Sequence, residues 1–216
     1  MNSQIDLKEL ERKAYRSTFE DGLLDITLGL FLIGSAVAGL FRDNKTARLT
    51  ITALIVLVPL TIFLLGKKKI TVPRIGIVKF GAERRAKKRK VAVIILLAVI
   101  LSSILALTAM TNSMPLFLVE LLKGYGSAVA FGLLAFTMFL FGGYYNDIPR
   151  LYLYGFLFGG SLFLSECFYN HVGFQVHSSV WFGISGLIML AIGIGLLLKF
   201  LRSYPLPSEE RIIEGG

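Results

Sequence analysis

Four stretches of the chain carry no formal charge: residues 49–66, 91–119, 124–146 and 172–198. A helix needs roughly 18 or more mostly apolar residues to cross a hydrocarbon layer about 30 Å thick. Backbone amides in lipid must find their partners within the segment, so runs of this length are expected as helices. The bulk numbers agree. Of 216 residues, 55% are hydrophobic and 17% are charged, with a mean hydropathy of +0.70. An average soluble domain is roughly 45–50% apolar and about 25% charged. A soluble enzyme, a nucleic-acid-binding domain and a disordered tail are therefore poor readings.

The pattern predicts an all-α polytopic membrane protein of six transmembrane helices, near 22–41, 49–66, 91–111, 125–145, 151–169 and 179–198. Residues 1–21 form an N-terminal segment, 22–201 the membrane domain and 202–216 a C-terminal tail. Pro59 removes a backbone donor in the middle of the second span, so a kink is expected there. The first apolar run is read as a retained span, because the charges ahead of it are mixed and lack the positive start of a signal peptide. Ser3 and Asp6 open the N-terminal segment with the spacing of a capping box, and Leu7, Leu10 and Ala14 follow helical spacing. It reads as an amphipathic helix at the headgroups or a helix for a partner. Segment 116–123, behind Pro115, is either interfacial or the tilted start of the fourth span.

The formal charge is +9, from 23 Lys and Arg against 14 Asp and Glu. Such a surplus in a soluble protein would suggest nucleic acid; here 11 of the basic residues lie in loop 67–90. Placing both termini in the cytoplasm puts 19 basic residues inside and four outside, the distribution favoured by the positive-inside rule. A prokaryotic cytoplasmic membrane is the expected location.

That loop is the most distinctive segment. Its first part, 70–80, alternates β-branched residues with Arg74, Gly76 and Lys79 and suggests a short extended piece at the interface. Its second part gathers Arg84, Arg85, Lys87, Lys88, Arg89 and Lys90. Clusters of 4–8 cations just inside a membrane attract anionic headgroups at roughly 1 kcal/mol per residue. The same charges also serve topology alone. Thr71–Phe80, the Asp21-Gly22-Leu23-Leu24-Asp25 string and the Tyr204-Pro205-Leu206-Pro207 tail together resemble a prokaryotic family of six-span membrane proteins without assigned activity. The resemblance implies that six-pass organisation and brings no functional residue with it. Pro149-Arg150, directly before the fifth expected span, matches the Pro73-Arg74 pair of this loop, as an internal repeat or simply as proline restarting a helix beside an anchoring arginine.

Ionisable groups inside spans mark a pathway or a partner, because burying charge in lipid is costly. Asp25 lies about one turn into the first span. It is either a structural acid, favoured by the helix N-terminus and paired with Arg74 or Arg150, or an ion- or proton-linked site. Glu166, near the end of the fifth span, joins His171 and His177 as a second candidate ion or proton site, or is an interfacial acid beside two wet histidines. Three such groups do not define a metal, and no metal or cofactor is implied. The single Cys167 excludes an intramolecular disulfide. Gly155 with Gly159, Ser35 with Gly39, Gly126 with Ala130, Ala128 with Gly132 and Ala191 with Gly195 have the spacing that lets helices approach closely in lipid. Tyr144 and Tyr145 are expected at one aromatic belt and Trp181 at the other.

No phosphate loop, nucleophile elbow or metalloprotease signature is present. The polar loops are also too short for a separate soluble domain. The chain therefore reads as a non-enzymatic interaction or accessory component facing anionic lipid, with a membrane-protein partner or a second copy as further partners. The rival is a small transporter or channel subunit using Asp25 or Glu166.

Overall fold

The computed structural model describes residues 19–41, 45–76, 115–121, 126–168 and 174–205, together with 86, 89–90, 92–94, 96–97 and 100–101. Among these the secondary structure is helical, with no strand. The helices are α1 (Leu23–Leu40), α2 (Lys45–Gly66), a π-helical turn (Lys67–Thr71), α3 (Val72–Ile75), α4 (Leu116–Leu121), α5 (Gly126–Asn146), α6 (Arg150–Cys167) and α7 (Phe174–Ser203). Three segments, Leu23–Leu40, Ala128–Asn146 and Ser179–Ser203, are long and apolar enough to cross a membrane, which is compatible with an integral membrane protein. Much of the expected third span and the N-terminal segment lie outside the described residues.

Neighbouring helices pack in the order α2–α1–α7–α6–α5, so the last helix is inserted between the first and α6. The α1–α7 contact is the most extensive, and glycine makes it possible. A Cβ on Gly29 would stand 2.7 Å from the Leu190 nitrogen, and one on Gly193 would stand 2.6 Å from the Ile26 nitrogen. A Cβ on Gly186 would stand 2.9 Å from the Gly29 carbonyl oxygen. Gly22 has a positive φ of 69° and faces the Gly193 carbonyl, so its place demands glycine twice over. Removing side chains lets the two backbones touch, which is how helices gain packing in lipid. The α5–α6 pair crosses at Gly132 and Gly159, with Gly155 against Phe136 and Phe139, in line with the Gly155/Gly159 and Ala128/Gly132 spacings. Gly195 touches nothing within 4 Å, and Ser35 turns its hydroxyl back to the Phe31 carbonyl. The Ala191/Gly195 spacing is not used between the described helices.

One local expectation is corrected. The 70–80 segment is not extended at its start: residues 67–75 are helical, first π and then α. Pro73 has no N–H to give an i−4 carbonyl, and the wider π turn, closed by Val72 N–H on the Lys67 carbonyl, absorbs that loss. α2 is a single helix that contains Pro59. Trp181 stacks on Phe168 with ring centroids 5.9 Å apart.

The α5–α6 turn aims the start of α6. Asp147 adopts φ 56° and Ile148 N–H bonds the Gly143 carbonyl, the hydrogen bond of a Schellman stop. Ile148 is buried behind it with Leu151 and Tyr154, against Leu32 of α1 and Met189 of α7.

The glycine contacts yield a paired prediction. Gly193→Val should lower the thermal midpoint in detergent by an amount equivalent to at least 1–3 kcal/mol, a typical overpacking cost. Gly195→Val, two residues away in open space, should leave it within about 0.5 kcal/mol.

Candidate functional site

Two acids flank the start of α1, Asp21 in the turn before it and Asp25 in its first turn, and both side chains are fully buried. Burial forces each carboxylate to find donors. Each finds one base and one hydroxyl. Asp21 Oδ2 accepts from Lys67 Nζ at 2.7 Å and from Thr71 Oγ1 at 2.5 Å. Asp25 Oδ1 accepts from Arg150 Nε and from Tyr154 OH, both at 2.6 Å. Lys67 and Thr71 are themselves i, i+4, and so are Arg150 and Tyr154. The site is two helical base–hydroxyl pairs meeting the two acids at the start of α1.

Local structure places each member. Asp21 also caps α1, with its Oδ1 accepting the Leu23 N–H at 3.2 Å. The π turn presents Lys67 and Thr71 together, and the Lys67 ammonium lies over the Phe19 and Phe63 rings at 5.3 and 5.6 Å. The Schellman stop delivers Arg150 to the bundle, where its Nη2 also donates to the Phe19 carbonyl. Exposure is uneven within each pair. The bases keep about a fifth of their side chains accessible, 23% for Lys67 and 21% for Arg150, while the acids have none. Asp25 Oδ2 has no hydrogen-bond partner among the described residues.

The structure thus resolves the alternatives for Asp25: its base is Arg150. Arg74 sits on α3, half-buried, with Nη1 donating to the Ile70 carbonyl at 2.9 Å. Its Nε is buried and without a partner among the described residues. Arg89 and Lys90 are exposed; Lys79, Arg84, Arg85, Lys87 and Lys88 lie outside the described residues. Glu166 is half-buried at the far end of α6. Sixteen residues of helix separate it from Arg150, roughly 24 Å, so Glu166 and Asp25 do not share a site. His171 and the side chain of His177 lie outside the described residues. Among those described, no three His, Cys, Asp or Glu groups come together as a metal site.

Sequence reasoning missed Asp21, Lys67, Thr71 and Tyr154 as members. The signal that could have found them is the shared i, i+4 spacing of an acid pair and two base–hydroxyl pairs.

A second polar group lies deeper. Ser161 Oγ and Ser185 Oγ are 2.7 Å apart and buried between α6 and α7. Ser161 also reaches the Leu157 carbonyl at 2.6 Å and the Trp181 carbonyl at 3.2 Å. Nearer the end of α1, Ser179 Oγ donates to the Ala36 carbonyl at 2.7 Å. Comparison with protein-family models, with curated proteins and with solved structures gives no match.

A buried ion pair that loses one partner leaves a bare charge, at a cost of about 3–5 kcal/mol. Arg150→Ala should destabilise the protein by that order in detergent unfolding. Asp25→Leu combined with Arg150→Leu should recover much of the loss, giving a coupling energy well away from zero. Additive losses would mean that the two residues act independently.

Proposed function

We propose that this chain is a six-span integral membrane protein with both termini in the cytoplasm. It works without catalysis, as an interaction or accessory component whose cytoplasmic rim engages anionic lipid headgroups. A membrane-protein partner or a second copy of the chain fits the same role, and the prokaryotic cytoplasmic membrane is the location it implies.

One observation carries this reading: the charges at the Asp21/Asp25 end of the bundle are sorted by sign. Leu197 of α7 packs on Gly22, so Lys199 and Arg202 project past the start of α1, at the same end as the π turn and the first turn of α6. The acids Asp21 and Asp25 are buried in pairs, whereas Lys68, Lys69, Lys199 and Arg202 are exposed. Glu20 is the exposed acid near them. Tyr144, Tyr152 and Tyr204 are exposed at this end too, where aromatic rings favour the headgroup layer. A rim of cations over a ring of tyrosines suits an anionic leaflet, and each Lys or Arg near such a surface contributes about 1 kcal/mol. The polybasic run of 84–90 would add to the same side.

Two experiments test the two halves of this proposal. In a Cys167→Ser background, a cysteine replacing Lys69 should react with a membrane-impermeant maleimide only after cells are opened. Reaction in intact cells would reverse the orientation. Native mass spectrometry from mixed phosphatidylglycerol and phosphatidylcholine should show preferential retention of phosphatidylglycerol. Replacing Lys68, Lys69, Lys199 and Arg202 together by Gln should reduce that preference several-fold; an unchanged preference would remove the lipid-facing role.

A further inference from the structure

A fully buried carboxylate normally has both oxygens satisfied. Asp25 does not: Oδ1 takes two donors and Oδ2 takes none among the described residues. Leaving such an atom bare costs about 1–3 kcal/mol, and groups retained at that cost deserve a functional explanation first. The groups around Asp25 are Arg150 and Tyr154 from α6, Asp21 in the turn before α1 and Lys67 bonded to Asp21. α7 offers only the Gly193 backbone at this level, and its nearest cation, Lys199, is exposed.

A second observation points along the bundle. Tyr154, Ser161 and Ser165 are all buried and lie at i, i+7 and i+11 on one face of α6, with Ser185 of α7 hydrogen-bonded to the middle member. Trp181 Nε1, from the residue whose carbonyl Ser161 touches, is another buried polar atom without a partner among the described residues. These hydroxyls lead from Asp25 towards Glu166 at the opposite end. One apolar layer interrupts them: Leu157 of α6 and Met189 of α7, the latter fully buried against Tyr154.

We propose that Asp25 is the proton-binding residue of a proton-conducting file between α1, α6 and α7, closed by Met189 and Leu157. A proton from the basic end bonds to Asp25 Oδ2. Arg150, partly exposed and anchored on the Phe19 carbonyl, remains in place as the carboxylate loses its charge. When water enters past Met189, Asp25 Oδ2 gives its proton to that water, Tyr154, the Ser161–Ser185 pair and Ser165 each accept one proton and release another onward, and Asp25 returns to its carboxylate. One proton is taken up on one side and one is delivered on the other. The inference rests on the six-span reading, since a file matters only where lipid seals the bundle. The maleimide experiment tests that reading without any flux.

The test uses the full chain in liposomes with a potassium gradient, valinomycin and an internal pH dye. Wild-type protein should dissipate a proton gradient several-fold faster than protein-free liposomes, and Met189→Ser should raise the rate several-fold further. Asp25→Asn should return both backgrounds to the protein-free rate. Ser161→Ala with Ser185→Ala should slow flux while leaving the Asp25 pair intact. If Asp25→Asn does not yield monodisperse protein, Tyr154→Phe, which keeps the Arg150 pair, takes its place and should slow flux several-fold. The proposal is overturned if Met189→Ser liposomes match protein-free ones, or if their flux is indifferent to the Asp25 or Tyr154 change.

Discussion

A carboxylate cannot stand bare among packed helices, and α1 starts with two. That constraint organises the end of the molecule around them. Each acid draws a cation and a hydroxyl from a segment far along the chain, 46 residues away for Lys67 and 125 for Arg150. Satisfying both fixes which elements gather at the start of α1: the π turn that extends α2, and the first turn of α6. Beside these pairs α7 fits close against α1, with Gly193 packed at the level of Asp25. Gly22, Gly29, Gly186 and Gly193 provide that closeness. Apolar packing supplies the bulk of the association, but it is indifferent to register. The two acids are not.

Much of this was legible in the sequence, and the reasons for success and failure are physical. Among the described residues helices stand where the long apolar runs predict them, because such a run leaves the backbone one way to satisfy itself. The start and end of α1, α2 and α5 fall within a few residues of expectation, while α7 extends further at both ends. Asp25 stood out because an acid inside an apolar run is costly, and its pairing with Arg150 was one of two alternatives. Asp21 was overlooked because it stands just outside that run, where an acid looks ordinary. Lys67 and Tyr154 were hidden for a related reason: a cation in a basic loop and a tyrosine in an aromatic-rich helix carry no local mark of their partner. Burial against a remote segment is what makes them special, and composition does not encode it. The start of the 70–80 segment is helical despite its β-branched alternation because the helix of α2 runs on through the π turn to Ile75. The glycine spacings were half informative. They mark where backbones can meet, and Gly155/Gly159 does meet a partner, yet Gly195 shows that the spacing alone does not choose the face.

The sorting of charge gives the end of the bundle two properties at once. Inside, acid and base neutralise each other and tie helices together. Outside, the remaining lysines and arginines face whatever surrounds that end. In the reading proposed here, one end acts as a structural clamp, a topological anchor and a headgroup-facing rim, with few residues serving more than one role. The residue that does not fit a purely structural account is Asp25, whose second oxygen is buried and unmatched. A clamp alone would be better served by a carboxylate with both oxygens bonded, as Asp21 has.

The central claim is that α1 and α6 are joined by a buried Asp25–Arg150 contact inside a lipid-embedded protein. Solid-state NMR on protein reconstituted in bilayers, with 13C in aspartate and 15N in arginine, measures that contact directly. The account predicts a short-range Asp25 Cγ–Arg150 Nε correlation that persists in the lipid-embedded state and vanishes in Arg150→Lys. An Asp25 carboxyl carbon coupled to bulk water, with no arginine nitrogen near it, would contradict it.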